Sequence, residues 1–299
     1  MENFYFIGVD VSKKKLDICV MCGSKVVTEE QVTNHQQAIL KLINELKRDL
    51  NMTNGDFIIC AEHTGQYTYP LICVCKSIDC KLWLENPTQI KYCSGLTRGK
   101  NDKVDAKRIA IYASRFCDQA VCYKRPSEEL TRLNQLEAER TLYLVDLSKY
   151  KAQLTDQKDF MPKALYKDKS SRLKMLIKSL EQVLKAIEDE MNRIIESTKI
   201  LSRQMDLLTS IDGIGRVVAM NMIIATEAFT RLHNSRTAFS RFDNPRQFCC
   251  YAGVAPFAYT SGSSQHSKNR VSQRACKYIK TLLHMSAVAI THRKSGELK

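Results

Sequence analysis

The chain has 299 residues, 44% of them apolar, with 46 Lys and Arg against 32 Asp and Glu and a formal charge of +14. That apolar content over that length excludes a disordered chain and is enough for more than one core. No apolar run is long enough to span a bilayer and no signal-peptide pattern opens the sequence, so a cytoplasmic protein with no membrane partner is expected, and the basic surplus makes nucleic acid the leading partner.

The first third reads as strand, strand, strand, helix, strand, helix, strand. "FYFIGVDVS" and "KLDICVMCG" are short apolar runs separated by lysines, "KVVTEEQVTN" alternates, and "HQQAILKLINELKRDL" carries Ile39, Leu42, Ile43 and Leu46 at helical spacing. "DFIICAEHTG" is a further buried strand, followed by a helix around "YPLICVCKSI" and a strand "KLWLEN". The pattern predicts an α/β mixed sheet with helices on its faces. Twelve cysteines need a reducing compartment. Cys19 and Cys22 have C-x-x-C spacing and Cys73, Cys75 and Cys80 cluster, but no second paired knuckle follows, so they read as buried thiols rather than metal ligands.

Two long amphipathic helices follow. Leu133, Leu136, Tyr143, Leu147, Tyr150 and Leu154 form one apolar stripe, and Leu173, Leu176, Leu180, Leu184, Ile187, Met191 and Ile194 form a cleaner one. The segment between them, with Pro162, marks a reversal, so a long antiparallel coiled-coil hairpin is expected, serving as a spacer or oligomerisation arm. From about Leu207 the chain is compact and mainly helical. Residues 201–299 hold 14 Lys and Arg against 5 Asp and Glu, a one-sided charge that points to a phosphate-binding surface.

Asp10 ends the first strand, Glu62 ends a later one, and Asp102 and Asp105 lie three residues apart at the start of a helix, facing the same way. Taken singly, Asp102 and Asp105 also fit a helix N-terminus, and Glu62 could cap or pair with His63. Asp10 is hardest to explain as structure, because an unpaired buried carboxylate is costly. Converging, the four form an oxygen-only site of the kind hard divalent ions occupy in phosphodiester chemistry.

"FIGVDVSKKKLDI", "CAEHTG" and "GKNDKVDAKRIAIYA" resemble the signature segments of the DEDD insertion-sequence transposases, a family related to pilin-gene invertases. The resemblance implies a RuvC-like, ribonuclease H-like domain over 1–125, the helical hairpin over 126–204 and a C-terminal transposase domain over 205–299. It also implies that Asp10, Glu62, Asp102 and Asp105 are the catalytic, metal-binding acids, with Mg²⁺ or Mn²⁺ as cofactor.

"LLTSIDGIGRVVAMNMI" places Gly213 and Gly215 in a helix-hairpin-helix-like turn, where backbone N–H groups approach a DNA phosphate; a plain turn without a ligand is the alternative. "FAYTSGSSQHSKNRVSQRACKYIK" reads as a polar loop between an apolar segment and a basic helix, with Lys268, Arg270, Arg274 and Lys277 placed to hold phosphates. It resembles the family's C-terminal motif, in which a serine before glycine is the nucleophile. Ser261 matches that position, and Ser263 and Ser264 are its rivals because the loop is less glycine-rich and less basic than is common.

The resemblance implies a transposase or site-specific recombinase that cleaves and rejoins DNA at element ends and target. It implies a covalent phosphoserine intermediate, a structured bridge RNA as guide, and a homodimer or homotetramer. Alternatives are a Holliday-junction-type endonuclease without serine chemistry, or a non-catalytic DNA-binding protein. A sugar kinase or actin-like ATPase would need a second glycine-rich phosphate loop, which the sequence lacks.

Overall fold

The computed structural model describes residues 4–93, 102–124, 126–227, 245–261, 265–271 and 275–291; side chains at 102, 103, 258–261 and 265–269 lie outside that description. The chain forms two compact units that divide after residue 125.

The first unit follows the sequence order. It contains β1 (Tyr5–Val11), β2 (Lys15–Cys22), β3 (Lys25–Thr33), α1 (Gln36–Asp49), β4 (Phe57–Glu62), α2 (Tyr69–Ser77), β5 (Lys81–Glu85), α3 (Pro87–Cys93) and α4 (Asp102–Arg115). The sheet order is β3-β2-β1-β4-β5, antiparallel across the first three strands and parallel from β1 through β4 to β5. Alternation sorts the side chains to two faces. Ile7, Val9, Leu16, Ile18, Phe57, Ile59, Leu82 and Leu84 share a core with Ile39 and Ile43 of α1 and Leu71 and Val74 of α2. Phe6, Cys19, Met21, Ile58, Cys60 and Trp83 pack against Ile109, Ala110 and Ala113 of α4. Because helices cover both faces, the central strands read as unbroken apolar runs. Only the edge strand β3 is mostly exposed.

Gly8 sets how closely α4 lies on the sheet. A Cβ there would stand 2.3 Å from both the Ala106 carbonyl oxygen and the Ala110 nitrogen. Any side chain at residue 8 would push the helix away.

The second unit begins with α5 (Glu128–Asp156) and α6 (Lys163–Ser197). Ser127 caps α5 by accepting from the Leu130 N–H at 3.3 Å, and Glu128 and Glu129 complement the helix dipole in the first turn. The two helices run antiparallel: Arg132 pairs with Glu190, Arg140 with Glu188 and Lys151 with Glu181. Leu147, Ile177 and Leu184 fill the seam between them. At its base the hairpin shares one core with α7 (Lys199–Thr209) and α8 (Arg216–Ala225), built on Leu133, Leu136, Met191, Ile195, Met205 and Ile223. Residue 205 therefore lies within a helix of that core.

α9 (Pro245–Tyr251), β6 (Phe257–Ser261), β7 (Gln265–Arg270) and α10 (Lys277–Thr291) complete the chain. Ser261 and Ser267 thus lie in strands where the polarity of the segment predicts a loop, and Ser263 and Ser264 lie outside the described residues. β6 and β7 pair antiparallel, with Ser261 opposite Gln265 and Phe257 opposite Arg270. Phe257, Tyr259 and Thr260 are strong strand formers, which outweighs the polar residues around them.

Twelve cysteines are free thiols. Burial pushes the Cys19 thiol up to about 11 and raises that of Cys60 as well, which makes both poor metal ligands. Among the described residues no helix is long and apolar enough to cross a membrane.

Candidate active site

The acids at the strand ends share the sheet face that α4 covers. Asp10 lies two residues beyond Gly8, on the same side of β1. β1 and β4 run parallel with Val9 beside Ala61, which puts Glu62 next to Asp10 on the neighbouring strand. α4 brings Asp105, adjacent to the buried Ala106, over that face.

Their electrostatics agree with this placement. The Glu62 carboxyl is held above the usual range, first by burial and then by the negative charges of Asp10 and Asp105. Arg108, one turn along α4, donates from Nη1 to Asp105 Oδ1 at 2.6 Å. Three of the four expected acids are therefore linked through Glu62, on which both Asp10 and Asp105 act. Asp102 begins α4, and its side chain lies outside the described residues.

Two further acids belong to the same row, and reading along the sequence missed both. Asp17 on β2 is the direct partner of Asp10. It is 2% exposed, Lys15 Nζ lies 3.1 Å from its Oδ2, and Gln31 Nε2 donates to its Oδ1 at 2.6 Å. Glu85 ends β5 beside Glu62. It accepts from the Tyr112 hydroxyl of α4 at 3.1 Å and from the Asn86 N–H at 2.7 Å, and burial, followed by the Glu85 charge, raises the Tyr112 phenol. Asp17, Asp10, Glu62 and Glu85 thus stand on four adjacent strands, at about 4.8 Å per step. "LWLEN" ends its strand as "CAEHTG" does, a repeated signal that could have found Glu85. Asp17 was marked only by being an acid inside a buried run.

The donor set suits a hard divalent ion: it is oxygen-only, and a cation there would offset both the burial of Glu62 and the negative charges of Asp10 and Asp105 beside it. Among the described residues, no three His, Cys, Asp or Glu side chains are already drawn together as ligands. The Arg108 contact holds Asp105 instead.

In the second unit, α7 and α8 are joined by a turn containing both expected glycines. Gly213 has φ +82°, and a Cβ there would lie 2.4 Å from Ile290 Cγ1 and 2.9 Å from the Ser286 carbonyl oxygen. Its lack of a side chain therefore serves the packing of α10. Gly215 caps the start of α8 and faces open space. Beside it, Arg216 donates to Asn192 Oδ1 at 2.8 Å. Behind the turn, the buried Glu137 accepts from Asn221 at 3.1 Å and Tyr278 at 2.8 Å, with Arg140 3.7 Å away. Arg270 and Lys277 are exposed, at the end of β7 and the start of α10. The side chains of Ser261 and Lys268, and residues Ser263, Ser264 and Arg274, lie outside the described residues.

Residues 7–159 match a family described as "Transposase", and residues 205–299 match "Transposase IS116/IS110/IS902 family". The chain belongs to this transposase family. It is an enzyme of DNA recombination. The "Pilin gene-inverting protein" of Moraxella bovis is 24% identical over 288 residues, spanning 96% of this chain and 83% of the relative. Its counterpart from Moraxella lacunata is 23% identical with the same coverage. Two solved structures, "T. thermophilus RuvC in complex with Holliday junction substrate" and "Thermus thermophilus RuvC structure", align at 12% and 11% identity. Each covers 38% of this chain, with 95% and 96% of its own chain aligned, at a TM-score of 0.30 that is too low to rest a fold on. Among the described residues the transposase sheet is mixed and the rest is largely helical.

Proposed function

We propose that this transposase mobilises an insertion sequence by cutting and rejoining DNA at the element ends and target, with residues 1–125 as a RuvC-like catalytic domain. Residues 126–204 form a coiled-coil arm that joins subunits in a dimer or tetramer, and residues 205–299 carry the nucleophile. The observation that carries the reading is the convergence of Asp10 and Glu62, at the ends of neighbouring parallel strands, on the face covered by α4 with Asp105, whose charge and that of Asp10 both act on Glu62. Asp10, Glu62, Asp102 and Asp105 would hold Mg²⁺ or Mn²⁺, whose charge polarises the scissile phosphate and offsets the charge that develops on it.

Ser261 attacks phosphorus through Oγ. A serine–phosphorus ester bond forms as the bond to the leaving strand oxygen breaks, and the proton lost from Oγ is balanced by one gained at that oxygen. Lys268, Arg270, Arg274 and Lys277 bind strand phosphates, and the open N-terminal end of α8 at Gly215 approaches the backbone without reading sequence. The family resemblance further supports recognition through a bridge RNA paired with donor and target DNA.

The test is covalent trapping with the full chain, its copurifying RNA, Mg²⁺, and DNA carrying the element's own ends. A protein–DNA adduct is expected from the wild type and is lost in Ser261→Ala and Asp10→Asn. An adduct that survives Ser261→Ala refutes the serine assignment, and unchanged cutting without any adduct points to a junction-type nuclease.

A further inference from the structure

One end of the acid row carries a cation that the metal-site reading does not use. Asp10 faces Asp17, so Lys15, two residues earlier on β2, stands diagonal to Asp10 on the same face. Diagonal neighbours across an antiparallel pair are about 7–8 Å apart at Cα, within reach of long side chains. Lys13 and Lys14 are exposed on the turn between the strands. Lys15 instead folds its ammonium onto the buried Asp17, at 3.1 Å, while 36% of its own side chain stays exposed. Gln31 holds the other Asp17 oxygen.

Such a pair is a poor device for stability, since a buried carboxylate gives up hydration that its partner barely restores. What it does well is fix a positive charge in one position. The place matters here. A phosphodiester brought to the row meets the carboxylates of Asp10, Glu62 and Glu85 on three adjacent strands, while Arg108 is already held by Asp105, and a fixed ammonium at the row's end offsets that repulsion without reorganising.

We propose that Lys15, positioned by Asp17 and Gln31, binds a non-bridging oxygen of the DNA phosphate presented to the acid row. Lys15 is a substrate-contacting residue, and Asp17 is a positioning residue. Without Asp17, the ammonium is drawn to Asp10, the next carboxylate on that face. The inference rests on the acid row being the place where DNA is cut.

The experiment uses the full chain with copurifying RNA and DNA carrying the element's own ends, with binding measured in EDTA and cleavage in Mg²⁺. Lys15→Gln is expected to flatten the slope of log affinity against log salt by about 1, the signature of one lost phosphate contact. It should slow cleavage by about 100-fold, as loss of one preorganised donor does. DNA bearing a neutral methylphosphonate at the scissile position should bind the wild type and Lys15→Gln equally, because the charge Lys15 contacts is gone. Asp17→Asn should reproduce the cleavage defect. An unchanged salt slope and rate in Lys15→Gln overturn the proposal, and so does a binding defect that persists on methylphosphonate DNA. If Asp10→Asn is inactive while Lys15→Gln is normal, the Lys15 assignment alone falls. If Asp10→Asn cuts like the wild type, the acid-row reading falls and takes this one with it.

Discussion

Replacing Gly8 with alanine tests the link between packing and chemistry most directly. The added methyl would lie 2.3 Å from the Ala106 oxygen and the Ala110 nitrogen and 2.8 Å from Ala110 Cα, where ordinary contact begins at 3.4 Å. All three atoms are helix backbone, so no rotamer change relieves the clash and α4 must rise by about 1 Å. Overpacking of this kind costs about 1–3 kcal/mol, and Ile109, Ala110 and Ala113 lose part of their contact with the sheet as well. Asp105 sits next to Ala106 and moves with the helix, and a misplacement of about 1 Å at a reacting centre costs on the order of 100-fold in rate. Urea unfolding should show a lower midpoint for Gly8→Ala, and the adduct assay should show the rate loss at a temperature where the variant remains folded. A wild-type midpoint would refute the packing account. A lowered midpoint with an unchanged rate would show that the position of Asp105 does not matter to the chemistry.

Two other substitutions read the charges. Because the Glu62 carboxyl is raised in the fold, the metal-free protein should lose stability as pH climbs from the unfolded carboxylate value, about 4.3, through the higher folded value. Glu62→Gln has no such loss, so thermal melts in EDTA should separate as pH rises through that window, and Mg²⁺ should raise the wild-type melt more than the variant's; parallel curves would contradict a Glu62 carboxyl raised by burial and by Asp10 and Asp105. Glu137→Ala removes the acceptor shared by Asn221 and Tyr278 and leaves Arg140, 11% exposed at its side chain, with Glu188 alone. It should cost about 3 kcal/mol in denaturant unfolding, as breaking a buried charged network does.

Much of the first unit was legible because its signals are local. "FIGVD" and "FIICAE" each show an apolar run closed by an acid, and the helical spacing of Ile39, Ile43 and Leu46 named the buried face of α1. The long helices and their reversal near Pro162 were readable for the same reason. The pairing of β6 with β7 was not, because a polar strand and a polar loop share composition and differ only in cross-strand pairing. At Gly213 the sequence shows a missing side chain in a turn but not that Ile290 packs where its Cβ would stand.

The order of residues by itself determined that Asp10 and Glu62 end strands, which faces of the helices are apolar and where positive charge accumulates, all properties of neighbours along the chain. Tertiary structure alone decided that Asp17 stands opposite Asp10, that Glu85 stands beside Glu62, and that Lys15 turns onto the sheet while Lys13 and Lys14 face water. Those facts depend on strand register, and a shift of one residue would send every one of these side chains to the other face.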